Sequence, residues 1–192
     1  MALPSRAEVE RRLVHATGGI PAAVYALDLG LSYRGLRLLL TGAVAVALAL
    51  EAVRLGTDLE WIVFDRLTRE YEQRGLAGYA LYLLSMAGVA WLFVPAAAVP
   101  GMLALALVDP VGGLLSTGEL RTVKRPSVLL ATFGVGTLLC LGFVGAVPAM
   151  LGGVAVTLAD GVKPVVRGYV IDDNLTIPPA VAVAITAGMA VV

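Results

Sequence analysis

The sequence predicts an all-α membrane protein, a polytopic transmembrane helical bundle of about seven spans with a cytoplasmic N-terminus. Three observations lead there. Of the 192 residues, 59% are hydrophobic and 15% charged, against roughly 45–50% and 25% in a soluble domain, and mean hydropathy is +0.89. The apolar residues come in long blocks, as membrane spans do. Of the 14 Lys and Arg residues, all but Arg34 and Arg37 fall on segments that such a topology places inside, which is the positive-inside pattern.

The elements follow in order. Met1–His15 carries charges of both signs, with no apolar stretch directly behind it and no small-residue cleavage site, so it does not read as a secretory signal. The predicted spans run roughly over 15–32, 35–54, 76–94, 96–115, 127–144, 145–162 and 177–192. The first holds Gly18, Gly19, Pro21 and Asp28. A six-span alternative makes it an interfacial helix instead. Pro95, Pro100, Pro110 and Pro148 predict kinked or interrupted helices, tolerated where the freed backbone is buried in protein or lines a wet cavity. Between the second and third spans, Leu59, Ile62, Val63, Leu67 and Tyr71 form one stripe at helical spacing. They predict a helix over 58–74 lying on the cytoplasmic membrane surface. Cys140 sits in an apolar run and reads as a buried thiol with no internal partner. The chain forms one integral membrane domain, 1–192, in the cell membrane. Its zero net charge argues for no nucleic-acid partner, and nothing in it specifies an oligomeric state.

Four polar groups stand at the predicted cytoplasmic ends of spans, and charge near a bilayer core is expensive enough to need a use. In Arg11-Arg12-Leu13-Val14-His15 the arginines suit phosphate, with His15 as a polar partner; the plainer reading is a topology anchor. Asp109, in Val108-Asp109-Pro110-Val111-Gly112-Gly113, needs a cation or a basic partner. It reads as a metal or nucleotide ligand, or as the partner of an arginine. Pro110 and the two glycines would break the helix and let a ligand approach. Arg121, Lys124 and Arg125 crowd a short loop and form a natural triphosphate clamp, a role compatible with fixing topology. Asp160 ends the sixth span, and Asp172, Asp173, Asn174 and Thr176 precede Pro178. These carboxylates suit Mg2+, with Asn174 and Thr176 orienting substrate or metal water. The plainer reading has Asp173 or Asn174 capping the last helix, with Pro178 in its first turn.

Taken together, these motifs resemble the polyprenol kinase family, which includes dolichol kinases, phytol kinases and a CTP-dependent diacylglycerol kinase. Archaeal dolichol-kinase-like proteins are the nearest branch. The resemblance rests on Arg11-Arg12-Leu13-Val14-His15, on Asp109 late in a middle span, on the basic loop Arg121–Arg125, on Asp160, and on Asp173-Asn174-Leu175-Thr176-Ile177-Pro178. Arg69, Glu70, Tyr71, Glu72, Gly78 and Tyr79 are similar to the archaeal branch. Val108 stands where the family usually has glycine, and Lys124-Arg125-Pro126-Ser127 loosely matches its Lys-Ser or Lys-Thr motif. The resemblance implies phosphoryl transfer from a nucleoside triphosphate, CTP, to the hydroxyl of a membrane isoprenoid alcohol such as dolichol. It implies Mg2+ held by Asp109, Asp160 and Asp173, and phosphates bound by Arg11, Arg12, His15, Arg121, Lys124, Arg125 and Thr176. Asp160, Asp173 and Asn174 would serve catalysis, Asp160 as proton acceptor. The more distant CDP-lipid synthases imply an alternative, cytidylyl transfer. A transporter or scaffold is the non-enzymatic alternative.

Overall fold

The computed structural model of the chain describes residues 6–57, 75–116, 123–162, 165–166, 169–170 and 172–192. The predicted surface helix 58–74 and Arg121 lie outside the described residues.

The chain starts with α1 (Arg6–Thr17) and α2 (Ile20–Ala26). The predicted first span 15–32 is therefore not one helix, because the chain turns at Gly18-Gly19. Close packing explains why glycine stands there: a Cβ on Gly18 would meet the Tyr82 ring, and one on Gly19 would meet Ala106. The seven residues of α2 rise about 10 Å, a third of the roughly 30 Å hydrocarbon core. Positive φ angles at Asp28 (52°) and Gly30 (85°) then turn the chain into α3 (Tyr33–Gly56), where Ser32 Oγ accepts from the Gly35 amide at 3.1 Å.

The next helix, α4 (Gly78–Leu92), returns antiparallel to α3 and is clasped to it at both ends. At one end the buried Glu51 carboxylate accepts from Arg54 Nε (2.9 Å) and Nη2 (2.6 Å), the Ala77 amide (2.9 Å) and the Tyr79 hydroxyl (2.6 Å). At the other, Arg37 Nε donates to the Ala90 carbonyl at 2.7 Å. Its guanidinium lies 4.5 Å from the Tyr33 ring centre and 5.2 Å from that of Trp91, a cation–π contact.

Downstream, α5 (Pro95–Leu103) passes through a five-residue π-helical segment, Ala104–Val108, into α6 (Asp109–Leu115). Pro110 and the glycines after it do not break this rod, contrary to the sequence expectation. The antiparallel pair α7 (Pro126–Leu141) and α8 (Ala146–Gly161) leads to β1 (Val165–Val166) and β2 (Tyr169–Val170), which pair antiparallel. The chain ends on α9 (Asp173–Met189). This helix packs against α8, α5 and α4, and Met86, Met102, Leu105, Val156, Ile177 and Ile185 fill the buried core. Cys140 is buried and free, as expected.

Apart from the short strand pair the described chain is helical, which agrees with the all-α expectation. Tyr33–Gly56 and Pro95–Leu115 are long and apolar enough to cross a membrane; Gly78–Leu92, Pro126–Leu141 and Ala146–Gly161 are apolar but shorter. Leu38, Leu92, Leu130 and Leu138 point outward.

Candidate functional site

The site begins with a carbonyl that lacks its usual partner. Within the π-helical segment an amide bonds the carbonyl five residues back, and the Asp109 amide accordingly reaches the Ala104 oxygen. The next bond in that register would run from residue 110 to the Leu105 oxygen, and Pro110 has no N–H to give. His15 replaces it. Its Nε2 lies 3.0 Å from the Leu105 oxygen; a carbonyl only accepts, so Nε2 carries the proton. The same nitrogen stands 3.5 Å from Asp109 Oδ2. The Tyr82 ring meets the imidazole edge-on at 4.8 Å, and its hydroxyl donates to the His15 carbonyl at 3.2 Å. These contacts of His15 hold the start of α6, and hence Asp109, in place.

Three carboxylates then converge. Asp109 opens α6, Asp160 stands at the end of α8, and Asp173 lies in the first turn of α9. One oxygen from each lies within 4.8 Å of the others. The helix dipole favours Asp173, at the N-terminal end of α9, and opposes Asp160, at the C-terminal end of α8, while Asp109 lies inside the continuous rod of α5 and α6. Lys124 compensates: its Nζ lies 2.5 Å from Asp160 Oδ1. The lysine is held by backbone as well, because its amide bonds the Gly161 carbonyl at 3.0 Å and Val123 bridges Val162. Asp160 is 0% exposed, and its second oxygen, Oδ2, is buried without a hydrogen-bond partner.

The paired carboxylates at the start of α9 divide their work. Asp172, rather than Asp173 or Asn174, is the N-cap, and its Oδ1 accepts from the Asn174 amide at 2.9 Å. That leaves Asp173 for the cluster. Because α9 begins at Asp173, Pro178 falls in its second turn and cannot supply the amide that the Asn174 carbonyl needs. The Ser85 hydroxyl of α4 supplies a donor instead, at 2.6 Å. Asn174 is buried with its Oδ1 unpartnered, and the Thr176 hydroxyl makes a long bond of 3.4 Å to the Asp172 carbonyl.

The remaining predicted residues separate. Arg12 packs its guanidinium against Gly113, where a Cβ would overlap it. Arg125 is exposed at the N-cap position of α7. Arg11 belongs to α1, and its side chain lies outside the described residues, as does Arg121. Lys124, expected in a phosphate clamp, is paired with Asp160. The glycines of 112–113 serve packing by other side chains rather than a helix break. Within 3.2 Å of the point where a Gly112 Cβ would stand lie Asp160 Oδ2, Lys124 Nζ and Thr132 Oγ1.

Thr132, Ser85 and Glu51 belong to this end of the molecule and carry no motif. Glu51 alone left a trace in the sequence, as an acid three residues before Arg54 at the end of a long apolar block.

This donor set fits a hard divalent cation, which takes carboxylate and water oxygens. Oxygens on opposite sides of a Mg2+ ion are about 4.2 Å apart for bonds of 2.1 Å, close to the spread of the three aspartates. The unpartnered Asp160 Oδ2 gives such an ion a buried ligand atom. Compared with family models, curated proteins and solved structures, the chain matches none.

Proposed function

We propose that the chain is a membrane lipid kinase that moves a phosphoryl group from a nucleoside triphosphate, CTP, to the hydroxyl of an isoprenoid alcohol. In this reading the bundle lies in the cell membrane, its N-terminus and carboxylate end face the cytoplasm, and the alcohol enters from the bilayer. The observation that carries it is the convergence of Asp109, Asp160 and Asp173 from three separate stretches of the chain within 4.8 Å, at one end of an apolar bundle. The family resemblance of the motifs supplies the substrate class.

Phosphoryl transfer asks for positioning and charge neutralisation more than for covalent catalysis. Asp109, Asp160 and Asp173 would hold Mg2+, which would supply charge neutralisation for the transferred phosphate. Arg12 and Arg125, with Arg11 and Arg121, would bind the phosphates, and Lys124 would join them by leaving Asp160. The alcohol oxygen attacks the γ-phosphorus, the bond from that phosphorus to the β-bridging oxygen breaks, and CDP departs. The alcohol proton passes to a carboxylate. Asp173 is half-buried whereas Asp160 is fully enclosed, so Asp173 is the better-placed acceptor.

The test uses purified protein in lipid with CTP labelled at the α or the γ position. The proposal requires γ-label in the lipid, release of CDP, dependence on Mg2+, and loss of transfer in Asp173→Asn with the fold retained. Transfer of α-label to lipid would mark a cytidylyltransferase. Absence of nucleotide binding by the folded protein would point to a transporter or scaffold.

A further inference from the structure

We propose that Thr132 is a positioning residue for the carboxylate cluster. Its hydroxyl lies beside Asp160 Oδ2 where both crowd the bare α-carbon of Gly112, and it orients a water of the bound cation's hydration sphere next to that carboxylate. The inference rests on the divalent-metal reading above and adds a residue to it.

Helical threonines ordinarily return their hydroxyl to the carbonyl four residues back. Thr41, Thr157 and Thr186 do so, donating to the oxygens of Arg37, Gly153 and Ala182 at 2.8, 2.7 and 2.7 Å. Thr132 does not. It is 0% exposed and its Oγ1 has no hydrogen-bond partner. Thr137, also unpartnered, packs onto the bare backbone of Gly153, a setting without charge. Thr132 instead shares its niche with two charged atoms. Its Oγ1 and Lys124 Nζ each lie 3.2 Å from the Gly112 Cβ position, and Asp160 Oδ2 lies 2.5 Å from it. Two fully buried oxygens, one anionic and one able to donate, thus stand near each other against the bare α-carbon of Gly112, which leaves no room for a Cβ. Buried polar atoms without protein partners are rare and usually meet water or an ion. Mg2+ keeps several of its waters when protein carboxylates bind it; with Asp160 Oδ2 on the ion, a neighbouring metal-bound water gives the Thr132 hydroxyl its partner.

The test titrates the purified, lipid-reconstituted protein with Mn2+, following free Mn2+ by electron paramagnetic resonance, and compares Thr132→Val with Thr132→Ser. Val keeps the shape and removes the hydroxyl; Ser keeps the hydroxyl. Loss of such a supporting contact typically weakens metal binding 10–100-fold, so Val should bind Mn2+ at least about tenfold more weakly and Ser within about twofold of the parent. Thermal unfolding in chelator supplies a second reading: Val should melt no lower than the parent, because the hydroxyl it loses has no protein partner. Equal Mn2+ affinity in Val and parent would overturn the role of Thr132 and leave the metal site standing. A lower melting point of Val in chelator would also overturn it, by giving the hydroxyl a purely structural use. No Mn2+ binding by the parent would remove the metal reading itself.

Discussion

His15 Nε2 donates to the carbonyl of Leu105 at 3.0 Å, the acceptor that Pro110 leaves without a backbone donor. The histidine is thus tied to a proline 95 positions further along the chain, and the tie can be tested. His15→Ala should lower stability by about 1–3 kcal/mol, the usual result of stranding a buried acceptor. Pro110→Ala restores an amide at that place. In the double variant the loss from His15→Ala should shrink by about 1 kcal/mol, a coupling of the size seen between groups in contact. Unfolding of the four proteins in one detergent gives the cycle, and strictly additive losses would show that the two residues act apart.

The adjacent carboxylates Asp172 and Asp173 should respond in opposite ways. Asp172 caps α9, so Asp172→Ala should cost about 1 kcal/mol with or without divalent cation. Asp173 crowds two other carboxylates, so Asp173→Asn should leave stability in chelator unchanged or higher. The rise in melting temperature on adding Mg2+ should persist in the first variant and vanish in the second. A Mg2+-dependent rise retained by Asp173→Asn would take that residue out of the cluster.

Glycine substitutions separate the niche from the rest of its helices. A Cβ on Gly112 would meet Asp160 Oδ2 at 2.5 Å, whereas one on Gly134 meets nothing within 4 Å. Gly112→Ala should abolish Mn2+ binding and any transfer activity while the helical circular dichroism persists. Gly134→Ala should keep binding and gain roughly 0.5–1 kcal/mol from helix propensity. Parent-like Mn2+ affinity in Gly112→Ala would mean that the carboxylates are not confined there.

At the α3–α4 clasp, Glu51 is 1% exposed and accepts from four donor atoms. Glu51→Ala leaves the Arg54 guanidinium beside an empty buried site and should cost about 3 kcal/mol. Tyr79→Phe removes one donor and should cost about 1 kcal/mol. Mn2+ affinity should change in neither, since the clasp holds the helices without touching the cluster. A selective loss of metal binding in Glu51→Ala would contradict that separation.

Much of this arrangement is legible in the amino-acid order. The apolar blocks mark α3, α4 and α7 to α9 to within a few residues, because their hydrophobic runs are interrupted mainly at the turns between helices. Asp109, Asp160 and Asp173 stand out for the same reason: each is a charge beside such a block. The π-helical register is not legible, since hydrophobic spacing hardly distinguishes a bond to the fourth residue from one to the fifth. Nor does Thr132 differ on paper from Thr157; only the tertiary neighbours decide which hydroxyl turns back to its own helix. Pairing Lys124 with Asp160 spans 36 positions, and any of several acids would have served. The first span fails for a readable cause, the glycine pair at 18–19, whose packing against Tyr82 and Ala106 depends on distant segments.

The backbone bridge between Val123 and Val162 welds the ammonium-bearing segment to the tail of the helix that carries its counter-ion. The two charges therefore travel as one piece, and the cation can leave its counter-ion only by swinging its four-carbon arm. Parting the two is a change of side-chain rotamer rather than a movement of the protein chain.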